Sequence, residues 1–166
     1  GAMSHPISDI EGAACIFAIG TNPTSSHPIL GQHVIRAAKK GAGIILANPR
    51  EIDLCRHASL WLRNRPGSDL ALLMGMMRTI LDEGLADLSF IEERCENFSP
   101  FRDSVKDFDL KVAEELSGIP RQTIAEAART YATHMPATII YGSGITQHIN
   151  GTENVLALAN LAMLTG

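Results

Sequence analysis

With 166 residues, 45% of them apolar and 19% charged, the chain is expected to fold as a single ordered domain with a real core. Its net charge of −4 argues against nucleic-acid binding, which normally needs a basic face. It has no uncharged apolar run of about 18 residues, so no membrane span is expected.

Gly1-Ala2-Met3 reads as an expression-tag scar, and residues 4–166 as the domain proper. No signal peptide follows, which gives a cytoplasmic expectation, with a periplasmic parent enzyme as the alternative. Cys15, Cys55 and Cys95 are far apart and form no CxxC pair. They are expected to be idle or buried thiols and not ligands of zinc or of a cluster.

In chain order, "ACIFAI" (14–19) is the first predicted strand. A polar loop, "GTNPTSSHP", leads into a helix with Val34, Ile35, Ala37 and Ala38 on one face, Lys39 and Lys40 in its last turn and Gly41 as its stop. "GIILANPR" (43–50) is the second strand and its exit. Strand, helix and strand at this spacing make a βαβ unit with parallel strands, and their near-continuous hydrophobicity suits a sheet covered on both faces.

"EIDLCRHA" reads as a short helix, and "SLWLRNRPGSD" contains a brief strand and then a Pro-Gly turn. Ser68 or Asp69 is placed to cap the helix "DLALLMGMMRTILDEG", which is apolar almost all round and so expected to be buried on several sides. Residues 86 to 135 read as entirely helical, in four pieces separated by Ser, Pro and Gly. Gly118 ends one of these helices and Pro120 opens the next. "ATIIYG" is a third strong strand, followed by the loop "GSGITQHINGT" and a last helix apolar on most faces. The expected fold is therefore α/β, a Rossmann-like three-layer domain with a mostly parallel sheet and a helical insertion.

The three strong strands run into polar loops, "GTNPTSS", "NPRE" and "GSGITQ". In an open parallel sheet these loops share the carboxyl edge, where ligands bind. Gly and Ser let an anion approach the main chain, and Arg50 can fork onto phosphate or ribose oxygens. Asn22 and Asn48 can bond a sugar or fix their own loops as Asx turns. Asp69 can accept the paired N1–H and N2–H of guanine, cap its helix, or do both. No GxGxxG, P-loop, HExxH or GxSxG occurs, and Asn48 stands where an NAD-binding strand would end in Asp or Glu. His27 and His33 share no helical metal face. His148 is the histidine best placed for a ligand. Ser25 and Ser26 have no evident base. No catalytic residue and no metal ligand is assigned, so the residues alone point to a nucleotide-type binding domain without its own catalytic set.

Taken together, "GTNPTSSHP", "NPRE", "RPGSDLALLMGM" and "YGSGITQHINGTENVLALANLAMLTG" resemble the molybdopterin oxidoreductases in order and spacing. The resemblance is strongest to the central domain of formate dehydrogenase catalytic subunits, and it runs over essentially the whole chain after residue 3. It implies an excised α/β domain holding one molybdopterin guanine dinucleotide, with the helical segment at about 86–135. Asn22 and Ser26, after Gly20, would lie near the phosphates. Asn48, Pro49 and Arg50 would lie near ribose and phosphate, Gly67 and Asp69 at guanine, and Gly142, Gly144 and Gln147 toward the pterin. Two positions depart from the family: Asn48-Pro49-Arg50 where Asp-Pro-Arg is common, and Ser25 where some relatives carry Asp.

The parent enzyme implied is a formate dehydrogenase with molybdenum or tungsten and a 4Fe-4S cluster outside this segment. Its partners would be the remaining domains of the same subunit, electron-transfer subunits and formate. The competing readings are a non-catalytic nucleotide-binding or interaction domain of a respiratory-complex subunit, part of a related nitrate reductase, and a stand-alone Rossmann dehydrogenase. The last lacks both its glycine fingerprint and its ribose carboxylate.

Overall fold

A computed structural model describes residues 6–166; the tag scar assigned to residues 1–3 lies outside them. Strands β1 (Cys15–Ile19), β2 (Gly43–Ala47), β3 (Leu60–Leu62) and β4 (Ala137–Tyr141) form one sheet in the order β3-β2-β1-β4. Every pairing is parallel, so the sheet is wholly and not just mostly parallel. The register is direct, Ile19 facing Ala47 on one side and Tyr141 on the other. All four strands therefore release their loops at one edge.

Both faces of the sheet are apolar and covered, as the continuous strand sequences require. Cys15, Phe17, Ile19, Ile45, Ala47 and Leu62 point into the larger core, and Ile16, Ala18, Ile44, Leu46 and Ile140 into the smaller one. The smaller core is closed by Val34 and Ala37 of α2 (Pro28–Lys39) and by Leu54 of a 3-10 turn, Asp53–His57. An amino-terminal 3-10 turn, Ile7–Gly12, is fixed to α2 by Glu11, whose carboxylate lies within 2.9 Å of His33 Nδ1, Arg36 Nε and Lys40 Nζ. His33 thus serves a surface ion cluster.

The larger core lies under α3 (Asp69–Asp82), α7 (Arg121–Thr133) and α9 (Gly151–Thr165). Leu72, Leu73, Met76, Met77 and Ile80 of α3 are all buried, which accounts for its nearly all-round hydrophobicity. The helical stretch between α3 and β4 resolves into α4 (Leu88–Arg94), α5 (Phe98–Lys106), α6 (Leu110–Ser117) and α7. Gly118 takes φ +74° at the end of α6, a conformation that glycine adopts without Cβ strain. Burial pushes the Cys15 thiol up to about 12, and all three cysteines are free. Among the described residues no helix is long and apolar enough to cross a membrane.

Two details differ from the sequence reading. The loops after β1 and β4 each close a single helical turn, α1 (Pro23–Ser26) and α8 (Ser143–Thr146). Neither Ser68 nor Asp69 caps α3 with its side chain. The Ser68 hydroxyl instead donates to the Arg65 carbonyl at 2.7 Å, and Asp69 is the first helical residue, its carboxylate held by Asn64. The last helix, apolar on most faces as read from the sequence, buries a stripe of Asn154, Ala157, Leu158, Leu161 and Leu164 and leaves Leu156 58% and Met163 39% exposed.

Gly75 sets how closely the helices above the sheet can pack. A Cβ there would lie 2.9 Å from the Ala113 Cβ of α6 and 3.1 Å from Ile124 Cγ2 of α7. Alanine gains at most about 1 kcal/mol of helix propensity, whereas overpacking typically costs about 1–3 kcal/mol. Gly75→Ala is therefore expected to lower stability in urea unfolding by on the order of 1 kcal/mol net, with Ala113→Gly restoring part of the loss in the double variant. A net gain from Gly75→Ala would show that α3, α6 and α7 are not in tight contact.

Candidate functional site

The chain leaves β1 for β2 on one side, while β4 pairs on the other side of β1. The carboxyl edge between β1 and β4 is therefore a topological switch point, the usual ligand crevice of open parallel sheets. There the first and last loops are locked together. The Gly144 N–H donates to the Gly20 carbonyl at 2.9 Å. A Cβ on Gly144 would come within 2.6 Å of that carbonyl oxygen, and one on Gly20 within 2.8 Å of the Gly144 carbonyl carbon. Gly142, in extended backbone, packs against Thr21 and Gly20. These three glycines are accounted for by the contact of one loop with the other. Gln147 ends α8 with an exposed side chain.

In the first loop, the Asn22 carbonyl accepts from the Ser25 and Ser26 N–H groups at 3.1 and 2.9 Å and from the Ser26 hydroxyl at 2.9 Å. Asn22 Oδ1 accepts from the Thr24 hydroxyl at 3.0 Å. The Ser26 hydroxyl is thus engaged with its own turn, while Ser25 faces the neighbouring cavity.

Asn48 is 6% exposed and staples the second loop. Its Nδ2 donates to the Thr21 carbonyl at 3.1 Å, and its Oδ1 accepts from the Arg50 N–H at 3.0 Å. Its carbonyl accepts from Trp61 Nε1 at 2.9 Å. Of the two roles open to Asn48 in the sequence, the structure shows the Asx turn. The arrangement also explains an amide at this position: a carboxylate cannot donate to Thr21. Pro49 offers its carbonyl to Arg63 Nε at 3.3 Å.

Beyond that staple lies a cavity of about 570 Å³, lined by Asn22, Ser25, Arg50, Glu51, Ile52, Asp53 and Arg56. It brings together residues of the first and second loops and adds Arg56. The sequence reading passed over Arg56 because it falls in a 3-10 turn after the loop. Its signal was a second guanidinium six residues past Arg50, which a single turn can fold back. Two guanidiniums with polar donors suit phosphate oxygens, and the two carboxylates suit hydroxyl donors such as a ribose offers. This donor set fits a nucleotide.

The loop after β3 carries Gly67 and Asp69. Gly67 takes φ +81° after Pro66, in the turn that Ser68 N–H closes on the Arg65 carbonyl at 3.1 Å. The turn is tied to the end of α6, where Arg65 N–H donates to the Ser117 carbonyl at 2.9 Å and Arg65 Nη1 to the Glu115 carbonyl at 2.6 Å. Asp69 is 5% exposed. Burial raises its pKa above the ordinary carboxylate value, opposed by the hydrogen bond from Asn64 and by the charge of His148. The exposed His148 of the β4 loop is thus an electrostatic neighbour of Asp69. Asn64 was the second residue missed, a buried polar side chain at the exit of an otherwise apolar strand.

The family model for molybdopterin oxidoreductases matches residues 1–166. Over 166 residues the chain is 40% identical to formate dehydrogenase H of Escherichia coli, matching all of this chain and 23% of that protein. It is 39% identical to the F420-dependent formate dehydrogenase 1 subunit alpha of Methanococcus maripaludis, again over all of this chain and 25% of the relative. Its structure superposes on the acetylene hydratase of Pelobacter acetylenicus with a TM-score of 0.86 and 28% identity, covering 96% of this chain and 24% of that one. The chain thus spans about a quarter of the length of the relatives it matches.

Asn48→Asp deletes the donor to Thr21 and sets a carboxylate against that carbonyl. A buried acceptor left facing another acceptor costs about 1–3 kcal/mol. A loss of that size in denaturant unfolding is expected, with amide shifts at Thr21 and Asn22. An unchanged midpoint would show that the staple does not hold the loop.

Proposed function

The chain belongs to the molybdopterin oxidoreductase family, and we propose that it is the molybdopterin guanine dinucleotide-binding domain of a formate dehydrogenase that uses molybdenum or tungsten. The observation that carries this reading is the cavity between the first two loops, where Arg50 and Arg56 converge with Asn22 and Ser25 beside the switch point. The formate substrate is inferred from the relatives that bear that name. Fold alone would not select it, since the protein of similar structure is named a hydratase.

In this reading Arg50 and Arg56 hold the phosphates as fork donors. Asn22 and Ser25 supply further polar contacts, and Glu51 or Asp53 accepts from ribose hydroxyls. Gly20, Asn48 and Pro49 shape the path of the ligand. Ser26 braces the first turn. Asp69, beyond Gly67, reads the guanine edge, and Gly142, Gly144 and Gln147 border the way to the pterin. The bound group supplies the metal-centred two-electron chemistry, and this chain's contribution is to hold and orient it.

In the whole enzyme formate would lose two electrons and a proton to become CO2. The other domains would supply the metal ligands and the 4Fe-4S cluster, and partner subunits would take the electrons. The reading of a non-catalytic domain in a respiratory-complex subunit draws no support from the named relatives.

The test is titration of the 166-residue chain with GDP and with ADP by calorimetry, repeated with Asp69→Ala. Hydrogen bonds to a charged acceptor are worth roughly 1.5–3 kcal/mol, so a GDP preference of about tenfold or more is expected, and Asp69→Ala should abolish most of it. Equal binding of the two nucleotides, or a preference that survives the substitution, would remove Asp69 from the guanine site.

A further inference from the structure

We propose that Asn64 is the residue that makes Asp69 selective for guanine over adenine, by pinning one carboxylate oxygen and keeping the pair a double acceptor. The inference rests on the guanine reading above. Asn64 is 2% exposed and Asp69 5%, and Asn64 Nδ2 donates to Asp69 Oδ1 at 3.1 Å. This is a side-chain contact within the core, five residues apart, between the exit of β3 and the first turn of α3.

The partner of Asp69 is unusual in two ways. A buried carboxylate is most often paired with a cation. Here no lysine or arginine forms an ion pair with Asp69 among the described residues. A guanidinium would fork onto both oxygens and take the side-by-side pair of acceptor sites that a base edge needs. An amide occupies one acceptor site of Oδ1 and leaves the others. The second feature is that Asn64 Oδ1 is buried and finds no partner among the described residues. An unpaired buried amide oxygen is costly, and an apolar side chain would avoid that cost. The part of Asn64 with partners is its donor, which gives its shorter hydrogen bond to Asp69 at 3.1 Å and a longer one to the Arg65 carbonyl at 3.5 Å.

The chemistry of the two bases explains what the donor achieves. An ionised carboxylate offers two acceptors, which match N1–H and N2–H of guanine. A protonated carboxyl offers one donor and one acceptor, which match N1 and N6–H of adenine. Burial favours the protonated form, and Asn64 opposes it. The other groups acting on Asp69 are its own backbone N–H and His148 from the loop after β4, both favouring the ionised form. The folded pKa lies above the ordinary value, so guanine preference is present above that pKa and lost as pH falls through it. Removing Asn64 moves the loss to higher pH.

The experiment measures GDP and ADP affinity as a function of pH for the unaltered chain, for Asn64→Leu and for Asn64→Asp, while carbon NMR follows the Asp69 carboxyl. In the unaltered chain the GDP preference should fade with the same midpoint as the Asp69 titration. In Asn64→Leu that midpoint should rise by about one pH unit, the size of one lost hydrogen bond to an ionised group. Asn64→Asp preserves the shape and adds a like charge, so it should raise the midpoint further. A simple loss of packing would not displace the midpoint in this ordered way. Midpoints unmoved in both variants, with GDP still preferred, would overturn the role of Asn64 and leave the guanine reading intact. No preference at any pH in the unaltered chain would overturn the guanine reading and the role of Asn64 with it.

Discussion

The site depends on one backbone hydrogen bond, from the Gly144 N–H to the Gly20 carbonyl. β1 and β4 are adjacent in the sheet but 118 residues apart in sequence from Ile19 to Ala137, and both end at the same edge. A loop rising from each strand would ordinarily be held apart by side chains. Because neither Gly20 nor Gly144 has a Cβ, their main chains touch. The loops then rise as one layer. Ile145, fully buried at the start of this layer, plugs into the larger core, and Asn154 of α9 donates to its carbonyl at 3.2 Å. A loop pair that would otherwise be mobile is thus tied to the sheet below and to a long helix beside it.

The second loop obeys the same constraint by different means. It has no glycine to bring it close, so Asn48 bridges to Thr21 through its amide. The residues along the edge fall into two groups as a result. Gly20, Ser26, Asn48, Gly142 and Gly144 are engaged in holding the loops. Asn22, Ser25, Arg50 and Arg56 face a shared cavity. A precise site needs both groups, because side chains bind in fixed geometry only when the residues beneath them hold their loops in place.

The sheet was legible in the sequence because its strands are short apolar runs bounded by Gly, Asn and Pro, and burial on both faces leaves no other use for them. The helices were legible from their punctuation, and Gly118 sits in the left-handed conformation that its position predicts. Whole sides of the site were not legible. Arg56 was passed over because the Asn22 turn, across the cavity from it, is brought near only by sheet pairing. Asn64 drew no role from the sequence, since nothing local reveals that its amide donates to the first residue of the next helix. The capping role offered to Ser68 and Asp69 failed for the same reason. Local rules assign a carboxylate at a helix start to the helix N–H groups, but a buried amide five residues earlier held it instead. Long-range contacts decided each of these cases.

An acidic chain that holds the nucleotide proposed above would have to do so by local geometry. The chain carries −4 overall, so its net charge would not draw an anionic ligand in. Within the cavity Arg50 and Arg56 are opposed by Glu51 and Asp53, leaving no formal excess of charge on its lining. Selectivity for phosphate there has to come from geometry: planar forks at fixed positions, with carboxylates placed to take the hydroxyls that lie beside a phosphate in a nucleotide. A lining of this kind favours a ligand that alternates phosphate and ribose over inorganic phosphate, because only the former satisfies both signs.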